Sequence, residues 1–175
     1  MAKSYLGAAA LAYSLACPTL ANADDHLMPI AQSGDWIAMA HKVSLTAPPD
    51  VCIAFNLSAG IALRADGNTI QLRVIDGKWS LPVSVQGSVL ISIGDWKLPL
   101  EINDNTSDSI SAALKPMEIF ALLATMDKAT TMTVTAGKAK PIPVSLTGSA
   151  KVANAFRTCA GIEGGSGKGG ENPFK

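Results

Sequence analysis

Hydrophobic and polar positions alternate with a period of two over most of the chain, and change to a period near 3.6 in two places. Trp36, Ala38 and Ala40 alternate with Ile37, Met39 and His41. Val51 to Phe55 is β-rich and bounded by Pro48-Pro49 and by Ser58 to Gly60, and Ile61 to Leu63 follows. A turn at Ala65 to Asn68 leads to Thr69–Ile75, where Ile70, Leu72 and Val74 face one way and Gln71 and Arg73 the other. Strict alternation of this kind predicts half-buried strands. Further strand segments are predicted over Val83 to Ile93, with Gly87 as a bulge or close approach, and over Lys97 to Ile102. Polar residues Asn103 to Ser109 read as a loop.

The period then changes. Pro116 suits the first turn of a helix, and Ile119, Leu122, Leu123 and Met126 fall at i, i+3, i+4 and i+7, one apolar helical face. Thr130 to Ala136 returns to strand, with Met132 and Val134 inward. Pro141 to Leu146 is a further strand whose two prolines suit a sheet edge. Ser149 is placed to cap a short final helix on which Val152, Phe156 and Cys159 share a face. The expectation is a mainly β protein: one antiparallel, β-sandwich-like domain over 35–160 with one or two short α-helices. It is preceded by a mobile leader, 24–34, and followed by a Gly-rich tail, 161–175, too poor in apolar residues to offset its ordering entropy.

The first 23 residues carry a different signal. Lys3 supplies a positive charge, Tyr5 to Cys17 is an uncharged apolar run, Pro18 breaks it, and Ala21-Asn22-Ala23 offers small residues for cleavage. This is the pattern of a secretory signal peptide cut after Ala23. The alternative, lipidation at Cys17, meets Ser14 where an apolar residue is expected. The apolar run is too short to span a bilayer as a helix, and no later segment is long enough, so the mature chain is expected to be periplasmic or secreted, with peripheral membrane association left open. Cleavage removes both tyrosines and one of the three cysteines, leaving Cys52 and Cys159. In an oxidising compartment such a pair is expected to be joined. No Cys-x-x-Cys is present, so the bridge reads as a staple rather than a redox centre.

Charge narrows the partners. The 175 residues hold 14 basic and 14 acidic side chains, with no Lys/Arg cluster of the kind that phosphate backbones require, so nucleic acid is excluded as a main partner. Candidate chemistry is sparse. Gly165, Gly167 and Gly170 match G-x-G-x-x-G, but lie in the tail without the strand and helix that place a pyrophosphate. Asp104, Thr106 and Asp108 alternate like calcium ligands, but Ser109 stands where the loop needs Gly and Lys115 where it needs Glu. His41 could join a triad with distant residues such as Asp95 or Asp104, yet no G-x-S-x-G elbow supports it. No catalytic, cofactor-binding or metal-ligating residues are therefore assigned. Trp36, Trp79 and Trp96 each lie at or near an Asp/Gly turn, where core packing at strand ends is the first reading, and Phe174 lies in the tail. As the alternative, these four are the candidate partner-binding residues, since tryptophan is enriched at binding hot spots.

The order of features resembles a known family. Gly34-Asp35-Trp36 opens the domain, a Cys follows in the next strand, Val89 to Ile93 ends a run of strands, and Ser111 to Met126 is followed by a strand. Val144 to Ser149 then runs into Ala155-Phe156-Arg157-Thr158-Cys159. Over residues 34–160 this is similar to the invasion-associated locus B family of exported alphaproteobacterial proteins. The resemblance implies a β-rich secreted protein with a link to host-cell invasion in some members, and supplies no catalytic residues. Family members often show a Cys pair near the opening Trp segment, where this chain has Cys52 alone. The combined expectation is a non-enzymatic accessory or binding protein acting on another periplasmic or envelope protein. The alternatives are a secreted host-interaction factor and an envelope hydrolase.

Overall fold

Alternating apolar side chains make strands that must bury one face, and the chain solves this by pairing each strand with a neighbour. The computed structural model describes residues 26–162. The expected signal peptide 1–23 with its expected cleavage site, and the tail from Glu163 onward, including Phe174, lie outside the described residues. Among the described residues the ten strands are β1 (His26–Ser33), β2 (Trp36–Lys42), β3 (Val51–Asn56), β4 (Ile61–Asp66), β5 (Thr69–Ile75), β6 (Ser88–Ile93), β7 (Trp96–Asn105), β8 (Ser109–Leu114), β9 (Thr131–Ala136) and β10 (Ile142–Ser145), and the two helices are α1 (Pro116–Met126) and α2 (Ser149–Cys159).

The strands form one antiparallel sheet in the order β1-β2-β3-β4-β5-β8-β7-β6-β9-β10. The sheet changes partners at β7. Its first half, Trp96–Glu101, pairs with β6, and its end pairs with β8 through Ile102↔Ala112 and Asn105↔Ile110, with an irregularity between Ile102 and Asp104. A bulged strand shared by two limbs is the usual corner of a sandwich. The protein is thus mainly β, antiparallel and sandwich-like.

The core lies on the inner faces. Trp36, Ala38, Cys52, Ala54, Leu63, Leu72 and Val74 from the larger limb meet Val89, Ile91, Val134 and Val144 from the smaller one. The helical face predicted from spacing is buried as expected, through Ile119, Leu122, Leu123 and Met126 of α1. Pro116 is in the first turn, and the Lys115 amide donates to Glu118 Oε2 at 2.8 Å. Helix α2 lies across β1, β2 and β3, burying Val152, Ala153 and Phe156. The prolines of the Pro141–Leu146 segment fit its place, because β10 ends the sheet.

Four expectations are corrected. Residues 26–33 are not a mobile leader: they form β1, registered against β2 from His26↔Lys42 to Ser33↔Trp36. Pro29 is tolerated because β1 is an edge strand with a register shift between Pro29 and Ala31. The strand expected from Val83 begins only at Ser88; Ser84 takes a positive φ of 60°, and Val83 is 94% exposed. The polar loop predicted over Asn103 to Ser109 shrinks to three residues, because β7 runs to Asn105 and β8 starts at Ser109. Finally, Ser149 is not the cap of α2 but its first helical residue. Gly148 precedes it at φ 83°, and a Cβ there would lie 2.6 Å from the Ser33 carbonyl oxygen. The backbone crossing at β1 therefore demands glycine.

Candidate functional site

The cysteines of β3 and α2 are brought together. Cys52 is on the inner face of β3, Cys159 ends α2, and they form the Cys52–Cys159 disulfide with Cα atoms 5.9 Å apart. Beside the bridge is a groove of about 290 Å³ lined by Pro49, Asp50, Asp66 and Ala160. It adjoins a second groove of about 460 Å³ with a floor of Ile70, Leu114, Ile119 and Phe120. Gly67 and Ala160 belong to both. Among the described residues, no helix is long and apolar enough to cross a membrane.

The tryptophans separate. Trp36 is only 2% exposed, and its Nε1 donates to the Ser145 carbonyl oxygen at 2.7 Å. It is a core residue tying β2 to β10, and it is withdrawn from the partner-binding set. Its indole fills the interior because Gly34, at φ 57°, turns the chain directly from β1 into β2. Trp79 and Trp96 are half-buried against the core. Trp79 forms one wall of an apolar pocket of about 160 Å³, with Leu81, Val85, Ile102 and Ala136. Phe174 lies outside the described residues.

The polar candidates are dispersed. His41 Nδ1 donates to Asp50 Oδ1 at 2.6 Å. That hydrogen bond is the chief reason the Asp50 carboxyl titrates below its ordinary value of 3.8, with partial desolvation opposing it. Four strands of the sheet lie between His41 on β2 and Asp104 on β7, while Asp95 is in the β6–β7 turn. In the β7–β8 loop, Thr106 Oγ1 donates to Asp108 Oδ1 at 2.7 Å, while the Asn105 side chain donates to the Pro82 carbonyl and accepts from the Val85 amide. These groups are spent on holding the loop and the 76–87 segment in place.

The feature that the alternation pattern did not reveal is the outer face of the larger limb. Register places directly opposed residues on one face. Outside, Gln32, Ile37, Phe55, Ala62, Arg73 and Ser111 form one row, and Met39, Ile53, Arg64 and Gln71 form the next. Leu27, His41, Val51 and Asp66 form a third. Ile37, Met39, Val51, Ile53 and Phe55 are half-buried, and Leu27, Ile30 and Leu57 are among the exposed large apolar residues. An outer sheet face facing only water is ordinarily polar. The signal was present in sequence: Trp36–Ala40 and Val51–Phe55 are unbroken apolar runs, the mark of strands covered on both faces.

Along one side of this patch stand Arg64 and Arg73. Arg64 Nη2 donates to Asp66 Oδ2 at 2.6 Å and Arg73 Nη2 to Ser109 Oγ at 3.4 Å. The Nε atoms of both are buried without an acceptor. The β1 side of the patch, residues 27–33, carries no charged side chain. Compared with family models, curated proteins and solved structures, the chain matches none of them.

Proposed function

We propose that this chain is an exported, non-enzymatic binding or accessory protein that holds another protein of the periplasm or envelope. The observation that carries the reading is the apolar outer face of β2 and β3, formed by Ile37, Met39, Val51, Ile53 and Phe55 on strands whose other face is already in the core. Large contiguous apolar patches on a folded surface mark interaction sites. The disulfide agrees with an oxidising compartment. The dispersal of His41, Asp95 and Asp104 supports binding rather than hydrolysis. Half-buried Trp79 and its small pocket offer a second, lesser contact point. Placement in the invasion-associated locus B family belongs to the same proposal and rests on the short motifs at Gly34-Asp35-Trp36 and Ala155 to Cys159.

The test is purification of the tagged protein from the envelope of its source, in parallel with a variant carrying Ile53→Ser and Phe55→Ser. A stoichiometric companion retained by the wild type and lost by the folded variant is the expected result. A companion retained equally by both would move the interface elsewhere, and a lone protein in both preparations would sink the reading.

A further inference from the structure

We infer that the groove beside the end of α2 is a site for an aromatic side chain, and that its resident occupant is Phe174 of this same chain, seated on Ile70, Leu114, Ile119 and Phe120. An outside peptide then reaches the groove only by displacing that ring. The inference goes beyond the docking reading above and does not depend on the outer face of β2 and β3.

Three observations carry it. First, the groove has the right size and floor. It holds about 460 Å³. Leu114 and Ile119 are buried beneath it, while Ile70 and Phe120 are half-buried and turn apolar surface toward it. A cavity of about 150 Å³ already takes a benzene ring, so this groove has room for a ring and for the backbone that carries it. Second, the chain is delivered to the groove. Helix α2 closes on Gly161 at φ 63°, where the Ile162 amide donates to the Arg157 carbonyl at 2.9 Å and the Gly161 amide to the Thr158 carbonyl at 3.5 Å. This is the paired hydrogen bonding of a helix end reversed by a left-handed glycine. The reversal sets Ile162 against the core as part of the groove wall, beside Ala160 and Gly161. The disulfide at Cys159 fixes this exit to β3. Whatever follows Ile162 therefore starts at the rim of the groove.

Third, the following sequence supplies a tether and one anchor. Phe174 is 12 positions beyond Ile162, and it is the only aromatic residue after Phe156. The 11 residues between, Glu163 to Pro173, include five glycines and a serine. A linker of that composition and length spans about 17–21 Å, enough to return to its own starting point. A short tether holds its end at an effective concentration of order mM, so a single aromatic contact too weak to join two molecules is populated within one. The ordering entropy that argues against a folded tail is largely kept, because only the ring and its neighbours are fixed, and closing a loop costs only the logarithm of its length. The pocket beside Trp79 shares no residue with the groove and serves as an internal control.

The experiment compares the chain from Asp24 to Lys175 with its Phe174→Ala variant by amide shifts, and adds a synthetic peptide of the sequence Gly169 to Lys175 as competitor. The substitution removes no side chain of the core, so both proteins are expected to melt alike. Phe174→Ala is expected to shift amides at Gly67 to Ile70, Leu114 to Phe120 and Ala160 to Ile162, and to leave those around Trp79 in place. The peptide is expected to shift the same groove amides in the variant, and to bind the wild type at least about fivefold more weakly because the tethered ring competes. Groove amides that ignore Phe174→Ala would overturn the inference and leave the groove to an outside partner. Peptide binding of equal strength to both proteins, or to neither, would overturn it as well. Shifts in the wild type that grow with protein concentration would seat the ring of a second copy in the groove and overturn the internal occupant.

Discussion

On their inner face β2 and β3 present Ala38, Ala40, Cys52 and Ala54; on their outer face the same strands present Ile37, Met39, Ile53 and Phe55. Apart from Trp36 at the start of β2, the inner residues are small because α2 must approach the sheet backbone closely, and Val152, Ala153 and Phe156 supply the missing bulk from the other side. The outer residues are large and only half-buried, shielding one another in the direct cross-strand pairs Ile37↔Phe55 and Met39↔Ile53. Both faces are apolar, yet only the inner one is a closed jigsaw. A filled face answers to stability, and an unfilled one is free to answer to a partner.

The widest gap between the faces is expected at Phe156, which is fully buried where α2 enters the core. Phe156→Ala removes a ring that the small sheet residues cannot replace, and is expected to cost about 3–5 kcal/mol. Chemical denaturation would read this as a lower midpoint at unchanged slope. A loss under about 1 kcal/mol would mean the inner face is loosely packed and the contrast is false.

Next in size is the staple holding α2 against β3. The bridge spans a sequence separation of 107 residues. Cys52→Ser is expected to cost about 2–4 kcal/mol, somewhat less than the loop length alone implies, since measured values often fall short of the chain-entropy estimate. A non-reducing peptide map of the protein purified from its source should link Cys52 to Cys159. Two free thiols there would remove both the staple and its compartment argument.

On the outer face the expectation reverses. Ile53→Thr keeps a β-branched side chain in the strand and exposes no cavity to a packed neighbour, so it is expected to cost under about 1 kcal/mol. The same substitution should weaken the proposed partner contact several-fold. A cost comparable to that of Phe156→Ala would show the outer face to be structural core and would withdraw it as a docking surface.

The contrast also explains what sequence could reveal. Period-two alternation from Thr69 to Ile75, and the i, i+3, i+4, i+7 stripe of α1, are local signals, and the structure keeps both. The disulfide was legible because the expected cleavage after Ala23 would leave only two cysteines to pair. Strand β1 was not legible: Pro29 argues against a strand, and only the otherwise bare edge of β2 supplies the pairing that overrides it. Trp36 was legible only as a choice between core and anchor: a tryptophan after a Gly-Asp turn fits either until the last strand, more than a hundred residues later, brings the Ser145 carbonyl to its indole N–H and decides for the core. The outer patch is visible as unbroken apolar runs, but alternation along a strand reports only which residues share a face. What covers a second face depends on neighbours that a period along the chain does not describe.

The smallest effect belongs to the foot of the outer face, where His41 opposes Val51 and donates to Asp50. Asp50 is exposed, so its influence on global stability should be slight and is best read site by site. The hydrogen bond from His41 favours the ionised carboxylate, which lowers the folded-state pKa below the unfolded one. A lowered carboxylate pKa contributes stability that is present above the unfolded value, here the ordinary 3.8, and is lost as pH falls from there through the folded value. A carboxyl-detected NMR titration should therefore place the Asp50 midpoint below 3.8 in the wild type and move it upward in His41→Ala. An Asp50 midpoint that ignores His41 would show that the pair is not formed in solution.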